Sequence, residues 1–157
     1  CSSDLAIATA AEGMDAQFVL SLGRPGAQLE IQTPENVIVV PFAPQLELLD
    51  RATAVITHAG LNTTLEALAR GLPMLCLPVT NDQPGIARRV EFLGAGLVLS
   101  PNRARADHIR LLLSRILANP SFRDSAVTLR DQMQTLNGPA MAADIIERAA
   151  RRSHVQQ

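Results

Sequence analysis

His58, Gly60, Asn62, Thr63 and Thr64 stand between positions 58 and 64, and each is a residue type that can handle an anion. An imidazole can donate a hydrogen bond or carry positive charge. Glycine lets a ligand approach the backbone closely. An Asn-Thr-Thr run opening a helix offers N–H groups that the helix has not used, at the positive end of its dipole. Together these groups would cradle a phosphate, provided one element ends at His58 and a helix begins just after it. The flanking sequence supplies both elements. Ala54 to Thr57 is a short apolar, β-branched run without polar alternation, which predicts a strand buried on both faces of a parallel sheet. Ala59-Gly60 predicts a tight turn. Leu65, Leu68 and Ala69 then recur at helical spacing until Gly71, and Pro73 opens a strand from Met74 to Leu77. Strand, turn, helix and strand in this order place the cradle at the carboxyl edge of a parallel sheet, where ligands of open sheets bind.

Each residue also has a purely structural reading. His58 could be an exposed polar residue at a strand end. Asn62, Thr63 and Thr64 could serve only to start a helix. Thr63-x-x-Glu66 fits a capping box, in which the glutamate folds back onto the helix end. Asp82-Gln83 before Pro84 could be a cap and turn. Phe42 could be a core residue, and Gln45 the first residue of a short helix.

Composition narrows the function classes. The 157 residues, 47% of them hydrophobic, suffice for one globular domain with a sizeable core. A formal net charge of -1 gives no reason to expect a nucleic-acid partner. All 14 basic side chains are arginine, so chemistry that needs a Schiff-base or P-loop lysine is excluded. Cys1 and Cys76 have no metal-ligand spacing, no other cluster reads as a metal site, and no apolar stretch is long enough to span a bilayer. These features, with no leader-like segment, predict a cytoplasmic location. Cys1-Ser2-Ser3 is expected to mark a fragment boundary rather than a lipidated terminus. Arg24 is expected to be solvated.

The remaining chain alternates helix and strand. Asp4 to Met14 predicts a helix, Gln17 to Leu22 a buried strand, Gly23 to Glu35 a loop, Val37 to Val40 a strand and Gln45 to Leu49 one or two helical turns. Gly85 to Leu93 predicts a helix and Gly96 to Leu99 the last strand. From about residue 105 the pattern becomes wholly helical: Ala106 to Ala118, Ser121 to Leu136 and Pro139 to Arg151.

Two segments, P-F-A-P-Q-L-E-L-L from Pro41 and H-A-G-L-N-T-T-L-E-A-L-A-R-G-L-P-M-L-C-L-P-V-T-N-D-Q from His58, together resemble the signature of UDP-dependent glycosyltransferases of the GT-B fold. The similarity is greatest to the bacterial branch with macrolide and carotenoid glucosyltransferases. The resemblance implies an α/β, Rossmann-like parallel sheet with helices on both faces, forming residues 1–157 into the carboxyl-terminal, donor-binding half of such an enzyme. It also implies roles for individual residues. His58, Gly60, Asn62, Thr63 and Thr64 would meet the donor diphosphate, Glu66 the ribose hydroxyls, and Asp82 and Gln83 the hexose hydroxyls. Phe42 would face the uracil, where plant relatives carry tryptophan, and Gln45 the base or ribose.

The same resemblance implies that this half normally opens with a strand before the helix at Asp4, and that an amino-terminal domain binds the acceptor and supplies the catalytic base. Neither is found in these residues, so the chain alone is expected to be inactive and to hold no catalytic residue. Its partners would be a UDP-sugar, with UDP-glucose the default, and an acceptor domain or separate acceptor subunit. No metal or other cofactor is implied. Two alternatives stand beside the transferase: a non-catalytic donor-binding subunit and a sugar-nucleotide epimerase of the same fold. In the sheet order 3-2-1-4-5-6 the omitted strand is central. Its loss predicts either direct pairing of Phe18–Leu22 with Ala54–His58 or a gap filled by another chain.

Overall fold

The computed structural model describes residues 2–27 and 32–154. Cys1 and part of the expected Gly23–Glu35 loop lie outside the described residues. The elements run α1 (Ser2–Ala11), β1 (Phe18–Ser21), β2 (Val37–Val40), α2 (Gln45–Leu49), β3 (Val55–Thr57), α3 (Leu61–Leu68), β4 (Met74–Cys76), α4 (Gln83–Phe92) and β5 (Gly96–Val98). A 3-10 turn at Pro101–Arg103 precedes α5 (Ala106–Ala118), α6 (Pro120–Thr135) and α7 (Gly138–His154). Every expected element is present, with ends shifted by a few residues. At the start of α6 the Asn119 side chain accepts from Ser121 N at 3.1 Å, so the Asn-Pro turn signal is a true helix cap.

All strand pairs are parallel, and they form two sheets. β1 pairs with β2, Phe18 opposite Val37. β3, β4 and β5 form the second sheet in that order, with Val55 opposite Met74 and Met74 opposite Gly96. β4 is central and wholly buried. Its alternate side chains serve two cores. Met74 and Cys76 pack with Leu68, Leu72, Ala87 and Val90 on the α3–α4 side. Leu75 and Leu77 pack with Ile109, Leu113 and Ile116 of α5 on the other. Helices thus cover both faces of this sheet. Gly96 is required by close approach, because a Cβ there would stand 2.1 Å from the Met74 carbonyl oxygen.

Direct pairing of β1 with β3 does not occur; the two sheets have no ladder between them. Side chains connect them instead. Phe18 of β1, Ile56 of β3, Ala10 of α1 and Leu113 of α5 belong to one apolar cluster. Arg110 on α5 donates from Nε to Ala10 O at 2.9 Å and from Nη2 to Thr9 O at 3.1 Å. Asn36 Nδ2 donates to Ala11 O, Met14 O and Ala16 O. The carboxyl end of α1 is therefore capped by two side chains distant in sequence, which satisfies carbonyls that the helix leaves unpaired.

Two sequence expectations need correction here. β1 is not a fully buried strand, since its burial alternates and Val19 is 44% exposed, like Ile38 beside it on β2. Helix α1 covers one face of the β1–β2 pair through Ala8 and Ala11, and no described helix covers the other. β3 is half-buried along its length rather than buried on both faces. In a parallel ladder alternate residues point their N–H and C=O groups to opposite edges. Val55 and Thr57 face β4, so Ile56 faces the open edge toward β1.

Candidate functional site

The turn after β3 has the expected place and an unexpected conformation. The left-handed residue is Ala59, with φ 61, while Gly60 is extended at φ -62 and ψ 140. A left-handed alanine costs about 1–2 kcal/mol. Ala59 is fully buried, and its N–H donates to Thr57 Oγ1 at 3.2 Å. Strain of this kind collects where a turn must aim backbone groups. Gly60 is the N-cap of α3, and no side chain caps the helix. The first-turn N–H groups of Leu61, Asn62 and Thr63 thus lack a side-chain acceptor, while Thr64 N donates to Gly60 O at 3.0 Å. The capping box does not form, because the helix begins before Thr63 and Glu66 points elsewhere. Asn62 is exposed and Thr63 half-buried. Thr64 is buried, and its hydroxyl has no hydrogen-bond partner among the described residues.

His58 is exposed at the tip of β3. Its Nδ1 lies 2.9 Å from Leu77 O, at the end of β4. A carbonyl can only accept, so Nδ1 carries hydrogen in this arrangement and Nε2 is the ring's remaining polar atom.

Helix α2 forms a second wall. Gln45 Nε2 donates to Glu66 Oε2 at 2.5 Å and to Thr63 Oγ1 at 3.2 Å. At the other end of α2, Arg70 Nε donates to Asp50 Oδ1 at 2.6 Å while Nη1 donates to Glu66 O at 3.1 Å. These crossbars hold α2 against α3 and orient the Glu66 carboxylate toward α2, leaving Oε1 without a hydrogen-bond partner among the described residues. Phe42 is 67% exposed, so it is not a core residue. Its ring is available for stacking.

The loop after β4 brings Asp82 and Gln83 to the same edge. Asp82 is exposed at the N-cap of α4 but makes no capping hydrogen bond. Gln83 Oε1 accepts from Val79 N at 2.9 Å and Thr80 N at 3.1 Å. That oxygen braces the loop, while the side-chain NH2 has no hydrogen-bond partner among the described residues. Asn81, between them and left-handed at φ 56, makes the turn that presents Asp82. Beneath the site, burial pushes the Cys76 thiol up to about 12, with the Glu91 carboxylate adding to the effect. It is an inert thiol inside the sheet.

The structure therefore gathers His58, Gly60, Asn62 and Thr63 at one helix end, Gln45 and Glu66 beside them, and Asp82 and Gln83 on the next loop. Each of these residues is exposed or half-buried. A cavity of about 240 Å³ lies elsewhere, lined by Ala8, Thr9, Glu12, Gln32, Thr33 and Pro34. Sequence reasoning missed the Leu77 carbonyl, the Arg70–Asp50 pair and the strain at Ala59. The backbone carbonyl leaves no mark in residue types, whereas Asn81 could have been found from the tolerance of asparagine for left-handed turns.

Residues 5–148 match the family described as erythromycin biosynthesis protein CIII-like, C-terminal domain. The uncharacterized UDP-glucosyltransferase YojK of Bacillus subtilis (strain 168) is 33% identical over 138 residues, which is 87% of this chain and 34% of that protein. The zeaxanthin glucosyltransferase of Pantoea ananas is 35% identical over 147 residues, 90% of this chain and 33% of that protein. The crystal structure of the glycosyltransferase VinC in complex with dTDP superposes with a TM-score of 0.80 at 27% identity, covering 97% of this chain and 38% of the other. The chain thus spans about a third of the length of the curated relatives it matches. Both the motifs at the carboxyl edge of the sheet and the fold that carries them place the chain in the erythromycin biosynthesis protein CIII-like C-terminal domain family, the carboxyl-terminal half of GT-B glycosyltransferases.

Proposed function

We propose that this chain binds a UDP-sugar, with UDP-glucose the default, as the donor half of an inverting transferase acting on an acceptor hydroxyl of a hydrophobic natural product or lipid. The observation that carries this reading is the amino end of α3, which has no side-chain cap and follows directly on His58, Ala59 and Gly60, with Glu66 beside it. The diphosphate sits at the helix end, the ribose diol donates to Glu66, and Asp82 with the Gln83 amide holds the hexose. Phe42 stacks on the base and Gln45 keeps Glu66 in place. No metal takes part; the α3 dipole and His58 face the developing negative charge of the departing diphosphate. The acceptor and its catalytic base belong to a partner domain or subunit, so this chain alone turns nothing over. Among the described residues no helix is long and apolar enough to cross a membrane, and a cytoplasmic setting is part of the proposal.

The test is a titration with UDP and 2′-deoxy-UDP. UDP is expected to bind more tightly, and Glu66→Gln to shrink the gap by about 1.5–3 kcal/mol, the worth of a charge-assisted hydrogen bond. Equal affinities would remove the ribose role. A second reading, a dTDP-sugar donor, is favoured by the dTDP complex of VinC, and tighter binding of dTDP than of UDP would select it.

A further inference from the structure

We infer that His58 enters the diphosphate site as the imidazolium, so that donor binding by this chain takes up a proton. The inference deepens the proposed donor-binding role and rests on it. A histidine meeting a phosphate oxygen must donate to it, because a phosphate oxygen offers only lone pairs near neutral pH. The ring has two nitrogens, and Nδ1 is already committed as donor to Leu77 O at 2.9 Å. In the neutral ring the second nitrogen, Nε2, is then a bare lone pair. A lone pair against a phosphate oxygen repels it. Only the doubly protonated ring donates through Nδ1 to Leu77 and through Nε2 to the ligand together. The Leu77 carbonyl, an unvarying backbone group at the end of β4, thereby sets the charge state in which His58 can work.

The surroundings permit that charge. The elements flanking the ring carry Glu66 on α3, Asp82 at the start of α4 and the Cys76 thiol in β4 as titratable groups, with Glu47 and Asp50 on α2 beyond them. Glu66 is held by Gln45 and Asp50 by Arg70, and Asp82 is exposed. Among the described residues no cationic side chain is hydrogen-bonded to His58; Arg70 is spent on Asp50 and the Glu66 carbonyl. The positive end of α3 opposes that charge, and a bound diphosphate neutralises it. Protonation and donor binding therefore favour each other, which is ordinary linkage.

The experiment uses UDP-glucose, and dTDP-glucose in parallel, because a diphosphate diester keeps its charge across neutral pH whereas the terminal phosphate of UDP titrates there. Calorimetry in buffers of different ionisation enthalpy reads proton uptake directly. A net proton uptake on binding, up to about one per donor bound, is expected at neutral pH. Affinity should be about ten- to hundredfold higher near pH 5.5 than near pH 8.5, the range a charge-assisted hydrogen bond supplies. His58→Gln, which keeps a neutral donor, should bind with no uptake and a flat pH profile. Imidazole nitrogen NMR, assigned by that variant, should show Nδ1–H in the free neutral ring and both nitrogens protonated in the complex. Binding that depends on His58 but takes up no proton would overturn the inference and leave the donor site standing. So would an uptake that persists in His58→Gln. Failure of both sugar nucleotides to bind at any pH would overturn the donor site and this inference together.

Discussion

Gly60 separates folding from binding more cleanly than any other residue of the site. Its φ of -62 is open to any side chain, and a Cβ there would meet nothing within 4 Å. The backbone therefore does not need glycine at this position; close approach of a ligand would. Gly60→Ala is expected to cost at most about 1 kcal/mol of stability, the usual difference between these two residues at an N-cap. Thermal unfolding should barely move while UDP titration shows a marked loss, larger for UDP than for uridine because only UDP places a diphosphate against the turn. Equal losses for the two ligands would mean that the methyl group disturbs the whole edge. Ala59 is the reverse case. Its left-handed conformation is a property of the backbone that the alanine tolerates, and the sequence Ala-Gly invites the opposite assignment, with glycine taking the strained place.

At the scale of elements, the site depends on how tightly β4 and β5 are drawn together and on how α2 is braced against α3. Gly96 allows the first. A side chain there would press on the Met74 carbonyl at 2.1 Å, with Val90 Cγ1 at 3.0 Å on the other side. Backbone cannot give way as a flexible side chain can, so Gly96→Ala is expected to destabilise the fold by roughly 2 kcal/mol or more. Chemical denaturation checks this, and a loss below 0.5 kcal/mol, the usual scatter of surface substitutions, would contradict the packing described. The bracing of α2 comes from Gln45 to Glu66 at one end and Arg70 to Asp50 at the other. Periodicity placed these helices correctly, but it carries no information on which polar side chains of two separate helices will meet.

For the molecule as a whole, alkaline pH gives an unusually direct view of the core. The chain has no tyrosine, and all its basic side chains are arginine, so few side chains titrate between pH 9 and 12. Cys76 does. Its thiol rises from 9.0 to about 12, first through burial and then through Glu91. A raised folded pKa means that the stabilising effect is complete below the unfolded value and is lost as pH climbs through the folded one. Stability is thus expected to fall from about pH 9 toward 12, by on the order of 4 kcal/mol over those three units. Denaturation across this range should show the slope in the native chain and in Cys1→Ser, and should show it removed in Cys76→Ser. The same scale holds the open edges of β1 and β3, which two capping side chains, Arg110 and Asn36, and one shared apolar cluster hold in place without a ladder.

The order of elements, the parallel class of the sheet and the strand, turn and helix that carry His58 to Thr64 were legible in the sequence, because each rests on local rules: β-branched runs, helical spacing, and turn residues that stop one element and start the next. The donor contacts proposed along His58 to Gln83 come from the same kind of rule, since functional groups must lie at fixed offsets from a strand tip and a helix start. Tertiary structure alone decided the rest. That the Glu66 carboxylate meets Gln45 and not its own helix end depends on where α2 lands. That Gln83 spends its oxygen on Val79 and Thr80 depends on how the loop closes. That His58 must donate through Nδ1 depends on a carbonyl from a neighbouring strand, and that β1 and β3 stay apart depends on the separation set by α1 and α5. Contacts of this kind join residues distant in the chain, and residue types cannot announce them.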